Sequence, residues 1–238
     1  MMIPKIIHYC WFGGKALSPL AEKCIASWNF FLPDYKIIRW DESNYDFNKI
    51  LYTRQAAEAQ KWAFVTDYAR LDILYLHGGI YFDVDVEVIR PFDELLELPA
   101  FAGFEHRNLV NSGLGMGAIP GNPIIREMRD DYIGRNFLLS NGKKNMTPCP
   151  IYQTTVLMQH GLKKENRKQD LGNIVIFPEE YFSPFNIYSG KMNKNAATFS
   201  IHWYNASWLT PWQRLKLFAK PYLYKLGVYA FVESLYRK

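Results

Sequence analysis

Two aspartates separated by one residue, Asp83 and Asp85, follow the apolar run Gly78-Gly79-Ile80-Tyr81-Phe82. On a strand, alternate residues point to the same side, so the two carboxylates would share a face. Carboxylates that close repel each other unless a cation sits between them or one takes up a proton. Hard divalent cations such as Mg²⁺ or Mn²⁺ take oxygen ligands and leave room for phosphate oxygens. The pattern therefore suggests a metal that clamps a diphosphate. A solvated strand end is the plain alternative, and Glu87 continues the alternation in a way that suits it. Upstream, Asp67 and Arg70 stand at i and i+3 and share a helix face. They lie in the mostly apolar stretch Trp62-Ala63-Phe64-Val65-Thr66-Asp67-Tyr68-Ala69-Arg70-Leu71. Charges in such surroundings are paired with each other or face a polar ligand.

The elements that must position these residues read as α/β. Residues 3–12 are β-branched and aromatic and are stopped by Gly13-Gly14, which predicts a buried strand. Residues 19–28 read as a helix and 35–40 as a second strand, so the chain opens with a βαβ unit and a parallel sheet. One long helix is expected over 54–77, capped by Gly78-Gly79. A strand at 80–82 follows, with 86–89 as its continuation. Further strands are expected at 101–104, 114–119 and 174–177, helices at 124–136 and 152–159, and an irregular stretch at 178–198. Ligands bind at the carboxyl ends of strands in such sheets, which is where the aspartates fall.

The chain has 238 residues, of which 49% are hydrophobic and 21% charged, enough for one packed domain with a small appendage. Its formal net charge is +5, from 28 basic and 23 acidic residues. Residues 209–238 hold six of the basic residues and one acid, Glu233, so the first 208 residues are formally neutral. A nucleic-acid coat is thereby excluded as a reading. Cys10, Cys24 and Cys149 are widely spaced, with neither a CxxC pair nor a disulfide pattern. No signal-peptide run or stretch of roughly 20 apolar residues is found, so a cytoplasmic protein is expected.

Ala63-x-x-x-Asp67-x-x-Arg70 followed by Leu76-x-Gly78-Gly79-Ile80-Tyr81-x-Asp83-x-Asp85 resembles the core signature of DXD-containing glycosyltransferases of family 32. That group includes capsular polysaccharide sugar transferases and yeast initiating α-1,6-mannosyltransferases, and is related to the catalytic domains of clostridial glucosylating toxins. The opening Ile3-Pro4-Lys5-Ile6-Ile7-His8-Tyr9-x-Trp11-x-Gly13 is similar to that group's first strand. His202-Trp203-x-x-x-Ser207-Trp208 is similar to its closing motif. The resemblance implies a GT-A type nucleotide-sugar-binding fold over residues 1–208, with a central mostly parallel sheet flanked by helices. It implies a nucleotide-sugar donor, Mn²⁺ or Mg²⁺, and retention of configuration. Carried over, Trp11 stacks on the base and the backbone around Cys10 and Phe12 reads its edge. Asp67 holds sugar hydroxyls, Arg70 bridges sugar and phosphate, and Tyr81 lines the pocket. Asp83 and Asp85 hold the metal, and either His202 or Asn205 completes its shell. Ser207 and Trp208 form a flap over the donor or simply pack.

The implied activity is hexosyl transfer, with a UDP-hexose favoured, to a glycan or lipid-linked acceptor in surface polysaccharide synthesis. A nucleotide-sugar-binding protein or a nucleotidyltransferase on a similar sheet is the alternative, although Gly13-Gly14-Lys15 is short for a triphosphate loop. Glu105 and His106 face either the acceptor or water, and Asn111, in a glycine-rich run, is a candidate for sugar binding. The basic, aromatic segment 209–238 reads as a helical extension that packs on the domain or docks on an anionic membrane surface. The second case would put the protein at the inner face of the cell membrane as a peripheral component.

Overall fold

The computed structural model describes residues 1–205, together with Trp212, Leu215 and Ala219. The expected flap, Ser207 and Trp208, lies outside the described residues, as does the 209–238 extension apart from those three. In chain order the elements begin with β1 (Ile6–Cys10), α1 (Pro19–Phe31), β2 (Lys36–Trp40), α2 (Leu51–Glu58), α3 (Trp62–His77) and β3 (Gly79–Tyr81). Then come β4 (Val86–Val88), β5 (Ala100–Glu105), β6 (Leu109–Asn111), β7 (Met116–Ala118), α4 (Pro123–Asp130) and α5 (Cys149–Gln159). The last are β8 (Gln169–Asp170), β9 (Val175–Phe177), α6 (Glu179–Phe182), β10 (Phe185–Asn186), β11 (Lys191–Met192) and β12 (Ser200–His202).

The main sheet has the order β2-β1-β3-β7-β5-β9-β8, with β6 paired to β5. β1 runs parallel to β2 and β3, and β5 runs parallel to β9. β7 is antiparallel to both β3 and β5, so β2, β1, β3, β5 and β9 all point one way. The sheet is thus mixed, with five of its eight strands aligned as read from the sequence and β6, β7 and β8 reversed. The period-2 alternation divides two cores. Ile7, Tyr9, Ile80, Phe82 and Phe101 enter one core with Trp28 of α1. Cys10, Tyr81, Ala100, Ala102 and Phe104 enter the other with α3.

Several elements differ from their sequence readings. The single helix over 54–77 is two helices. Lys61 N donates to Ala56 O at 2.8 Å and Gln60 N to Ala57 O at 2.8 Å. Those two bonds form a Schellman cap with Gln60 in the left-handed region at φ 54°. Glycine is the usual marker of such a stop, and a glutamine hides it. The helix expected to 136 ends at Asp130 and continues as turns. Residues 86–89 do not extend β3. Val86 N donates to Asp83 O at 3.1 Å, so Asp83 to Val86 is a tight turn rather than strand. β4 then pairs antiparallel with β12 in a separate two-stranded sheet. Residues 178–198 contain α6 and the β10–β11 hairpin.

Candidate active site

Because β1, β3 and β5 point the same way, their carboxyl ends, at Cys10, Tyr81 and Glu105, lie on one edge of the sheet. The join between α3 and β3 is held by glycine and a buried histidine. Gly78 has φ 64° and Gly79 φ 94°, and a Cβ on Gly79 would meet Ile6 O and the His8 ring. His8 is fully buried, with Nε2 at 2.9 Å from Gly78 O, while its Nδ1 accepts from Trp40 Nε1 at 3.1 Å. Burial depresses its pKa to about 4, so the ring is neutral. It serves as a core histidine.

Helix α3 delivers Asp67 and Arg70 from its buried face. Arg70 Nη2 lies 3.2 Å from Asp67 Oδ1 and 3.2 Å from Asp83 Oδ1. Arg70 Nε donates to Thr66 O at 3.2 Å, and the guanidinium stands 5.0 Å from the centre of the Tyr81 ring. Tyr81 Oη donates to Asp83 Oδ1 at 3.0 Å. Burial pushes the Asp67 carboxyl up to about 6, against the opposing pull of Arg70 and a hydrogen bond from the Cys149 thiol. The i, i+3 pair is therefore a buried bridge that reaches the first aspartate of the Asp-x-Asp turn, and not a surface ion pair.

The expectation that the aspartates share a strand face is corrected by the turn, yet their carboxylates still converge. The pairing of β12 with β4 sets His202 opposite Val86. A ligand atom from each of Asp83, Asp85 and His202 lies within 4.8 Å of the others. His202 Nε2 is 3.1 Å from Asp85 Oδ1, and Asn205 N donates to Asp85 Oδ2 at 2.7 Å. Burial opposes ionisation of Asp85, but His202 and the Asn205 N–H outweigh it and hold the carboxyl below its ordinary value. Burial likewise disfavours the His202 imidazolium, while attraction to Asp85, and then to Asp83 and Glu105, raises its pKa. His202 Nδ1 is buried and has no hydrogen-bond partner. Two carboxylates, an imidazole and an unsatisfied ring nitrogen suit a divalent cation. Glu87, which continued the alternation, turns away and accepts from Lys23 Nζ and Trp203 Nε1, each at 2.8 Å.

The remaining candidates surround this cluster. Cys10 and Phe12 are buried, and burial pushes the Cys10 thiol up to about 12. Trp11 is half-buried and its Nε1 donates to Lys15 O at 2.6 Å. Gly13, at φ 92°, carries no Cβ that would strike Trp62, while Gly14 faces open space. Asn111 is engaged at both ends. Its Nδ2 donates to Glu105 Oε2 at 2.8 Å and its Oδ1 accepts from Gly113 N at 2.7 Å.

One site residue, Gln153, escaped sequence reasoning, whereas Ser112 and Gly113 lie in the glycine-rich run around Asn111. Gly113 N–H is held by Asn111, Gly113 O accepts from Asp83 N at 3.0 Å, and a Cβ there would collide with the Asp83 carboxylate. Gln153 of α5 accepts from Ser112 N at 3.0 Å and donates to Ser112 Oγ at 2.7 Å, which fixes the same loop. The glycine-rich run was the available signal for this loop, whereas nothing local marks Gln153.

Residues 18–102 match the family model described as a glycosyltransferase sugar-binding region containing a DXD motif. The chain is 27% identical to the uncharacterized glycosyltransferase L373 of Acanthamoeba polyphaga mimivirus, over 91% of this chain and 88% of that protein. It is 32% identical to inositol phosphoceramide mannosyltransferase 3 of Schizosaccharomyces pombe, over 53% of this chain but only 36% of the yeast protein's length. Among solved structures, the PaToxG glycosyltransferase superposes with a TM-score of 0.54 at 20% identity, covering 66% of this chain and 69% of that one. That likeness carries the fold, which is the GT-A type expected. Together these findings show similarity to glycosyltransferases over most of the chain and, at residues 18–102, a match to their DXD-containing sugar-binding region, in line with the resemblance its sequence carries.

Proposed function

We propose that the chain is a metal-dependent, retaining hexosyltransferase. It takes a hexose from a nucleotide sugar, a UDP-hexose before others, and delivers it to a glycan or lipid-linked glycan acceptor in surface polysaccharide synthesis. The observation that carries this reading is the convergence of Asp83, Asp85 and His202 beside Arg70. These three residues would hold Mn²⁺ or Mg²⁺, which supplies Lewis-acid stabilisation to a departing diphosphate. Asn205 acts through its backbone N–H on Asp85, so His202 is the better third ligand.

The protein's own groups divide the remaining work. Arg70 is held between Asp67 and Asp83 and places a fixed positive charge where negative charge grows on the diphosphate. Asp67 accepts from sugar hydroxyls, and its charge favours the oxocarbenium character that develops at the anomeric carbon. Trp11 stacks on the base, the Cys10 and Phe12 backbone reads its edge, and Tyr81 orients Asp83. Asn111 holds the Gly113 loop against Asp83 from the sugar side. The bond from the anomeric carbon to the diphosphate breaks, and the acceptor oxygen bonds to that carbon on the same face. The acceptor proton passes to a phosphate oxygen.

A lipid-linked acceptor is supported by the similarity to the inositol phosphoceramide mannosyltransferases, whose mannosyl transfer also puts GDP-mannose into the test panel. The basic, aromatic composition of 209–238 supports work at the inner face of the membrane. The described residues contain no helix long and apolar enough to cross a membrane. Thermal shift and hydrolysis with UDP-glucose, UDP-galactose and GDP-mannose, with and without Mn²⁺, test the donor reading. Binding and slow Mn²⁺-dependent hydrolysis of one donor is expected. If the protein neither binds nor hydrolyses any of them, the reading falls. Trapping a covalent glycosyl-enzyme on a pocket carboxylate would overturn the same-face step.

A further inference from the structure

Beside the Asp83–Asp85–His202 cluster lies a second concavity of about 200 Å³. Its floor is Glu105, at the carboxyl end of β5, and its walls include Tyr204, Tyr188, Phe185 and Ile151. Glu105 is half-buried and only one of its oxygens, Oε2, is taken, by Asn111 at 2.8 Å. Tyr204 is the wall shared with the metal cluster. Its ring centre stands 4.1 Å from that of His202, and its hydroxyl is tied to Ser183 Oγ at 2.5 Å. Tyr188 is braced from behind by His106, with ring centres 4.6 Å apart.

Backbone strain gathers here as well. Among the described residues four non-glycine positions have positive φ, and Gln60 is accounted for by its helix cap. The other three are Arg107 at φ 70°, Asn108 at φ 53° and Tyr204 at φ 51°. Arg107 and Tyr204 line the cleft and Asn108 adjoins it. Left-handed backbone outside glycine is costly and collects where a binding surface must be held in one shape.

We propose that this cleft seats the acceptor and that its occupant is a neutral hexopyranose ring. Glu105 accepts from the ring hydroxyls, and Tyr188 and Tyr204 cover its apolar C–H face. A pyranose has both surfaces the cleft offers to match, a carboxylate at one end and tyrosine faces at the other. The volume admits one such ring, and the shared Tyr204 wall brings it against the donor's reacting carbon. The assignment rests on the transferase reading above.

The test uses the full chain and three probes: methyl α-D-mannopyranoside, methyl β-D-galactopyranoside and methyl β-D-glucopyranoside, followed by saturation-transfer NMR. At least one is expected to bind. Ile151→Trp fills the cleft and should weaken that binding at least about tenfold, while Tyr188→Phe keeps the ring and retains it. If Ile151→Trp lowers the melting temperature, Tyr188→Ala is read instead and should show a similar loss. Absence of binding by all three glycosides overturns the inference, as does unchanged binding in both Ile151→Trp and Tyr188→Ala. UDP-sugar binding with Mn²⁺ on the same samples separates the two readings. Nucleotide sugar without glycoside removes only the acceptor assignment. Glycoside without nucleotide sugar removes the donor reading and leaves a carbohydrate cleft.

Discussion

The two halves of the site are built on opposite plans. The half proposed for the donor, Asp67, Arg70, Tyr81, Asp83 and Asp85, comes from nineteen consecutive residues; the first four are paired with one another, and Asp85 is paired with His202 and the Asn205 N–H. The cleft beside it draws on segments near 105, 150, 187 and 204, and Arg107, Asn108 and Tyr204 carry left-handed backbone there. Such a division suits a transferase. The donor's charge must be met by groups that do not reorganise, whereas an acceptor surface can be shaped by loops without altering the charged site.

If the donor half is a preassembled charged unit, removing its centre should cost most. Arg70→Ala leaves buried Asp67 and half-buried Asp83 without their cation, and a loss of about 3 kcal/mol of stability is expected by denaturant unfolding. A change near zero would mean that the bridge is dispensable and that the contrast between the halves is false. Next comes Asp85→Ala, which removes one group of the metal cluster but leaves the Arg70 bridge intact. Donor hydrolysis should fall about 10²–10³-fold, beyond what the stability lost with the His202 and Asn205 contacts to Asp85 accounts for. Equal loss of stability and activity would show that Asp85 is structural.

The same contrast explains what was legible in the sequence. Gly78-Gly79-Ile80-Tyr81-Phe82 and the i, i+3 spacing of Asp67 and Arg70 are local patterns, so the donor half and the parallel β1–β2–β3 core could be read from the chain. His202 was available only through the resemblance, because 117 residues separate it from Asp85 and the β4–β12 pairing joins them. The turn at Asp83 was missed because alternation over 80–87 looks the same whether or not the chain bends. The break at Gln60 was missed because the residue that closes the Schellman cap is not glycine. The cleft walls at Ile151, Phe185 and Tyr188 have no common local signal, since only tertiary packing gathers them.

A pH profile separates the halves more finely. Asp67 titrates near 6 against an ordinary value of 3.8, chiefly because it is buried. Below about pH 6 it loses the charge that pairs with Arg70 and that the proposed function uses to receive sugar hydroxyls. The kcat/KM for donor hydrolysis should then fall about tenfold per pH unit, and the fall should be absent from whatever activity Asp67→Asn retains. The stability contribution has the opposite sense. Between pH 3.8 and about 6 the unfolded chain ionises this carboxyl while the folded chain keeps it protonated. This group therefore lowers stability as pH rises through that window. Glycoside binding in the cleft, which does not involve Asp67, should keep its own profile. A shared limb would mean that the halves titrate as one unit.

The smallest expected effect bears on the strained half. Arg107 sits at φ 70° in the turn between β5 and β6, beside the cleft and 5.9 Å from the centre of the Tyr188 ring. An L-residue in that region costs roughly 1–2 kcal/mol relative to its preferred backbone, and glycine does not carry the penalty. Glycine also loses more chain entropy on folding, about 0.5–1 kcal/mol, so Arg107→Gly should raise stability by no more than about 1 kcal/mol. Glycoside affinity should fall at the same time, because the turn that braces Tyr188 loosens. A gain in stability with unchanged affinity would mean that the strain at 107 is incidental to binding. A loss of both would mean that Arg107 stabilises the turn through its side chain, and the cleft would then be no more strained than the donor half.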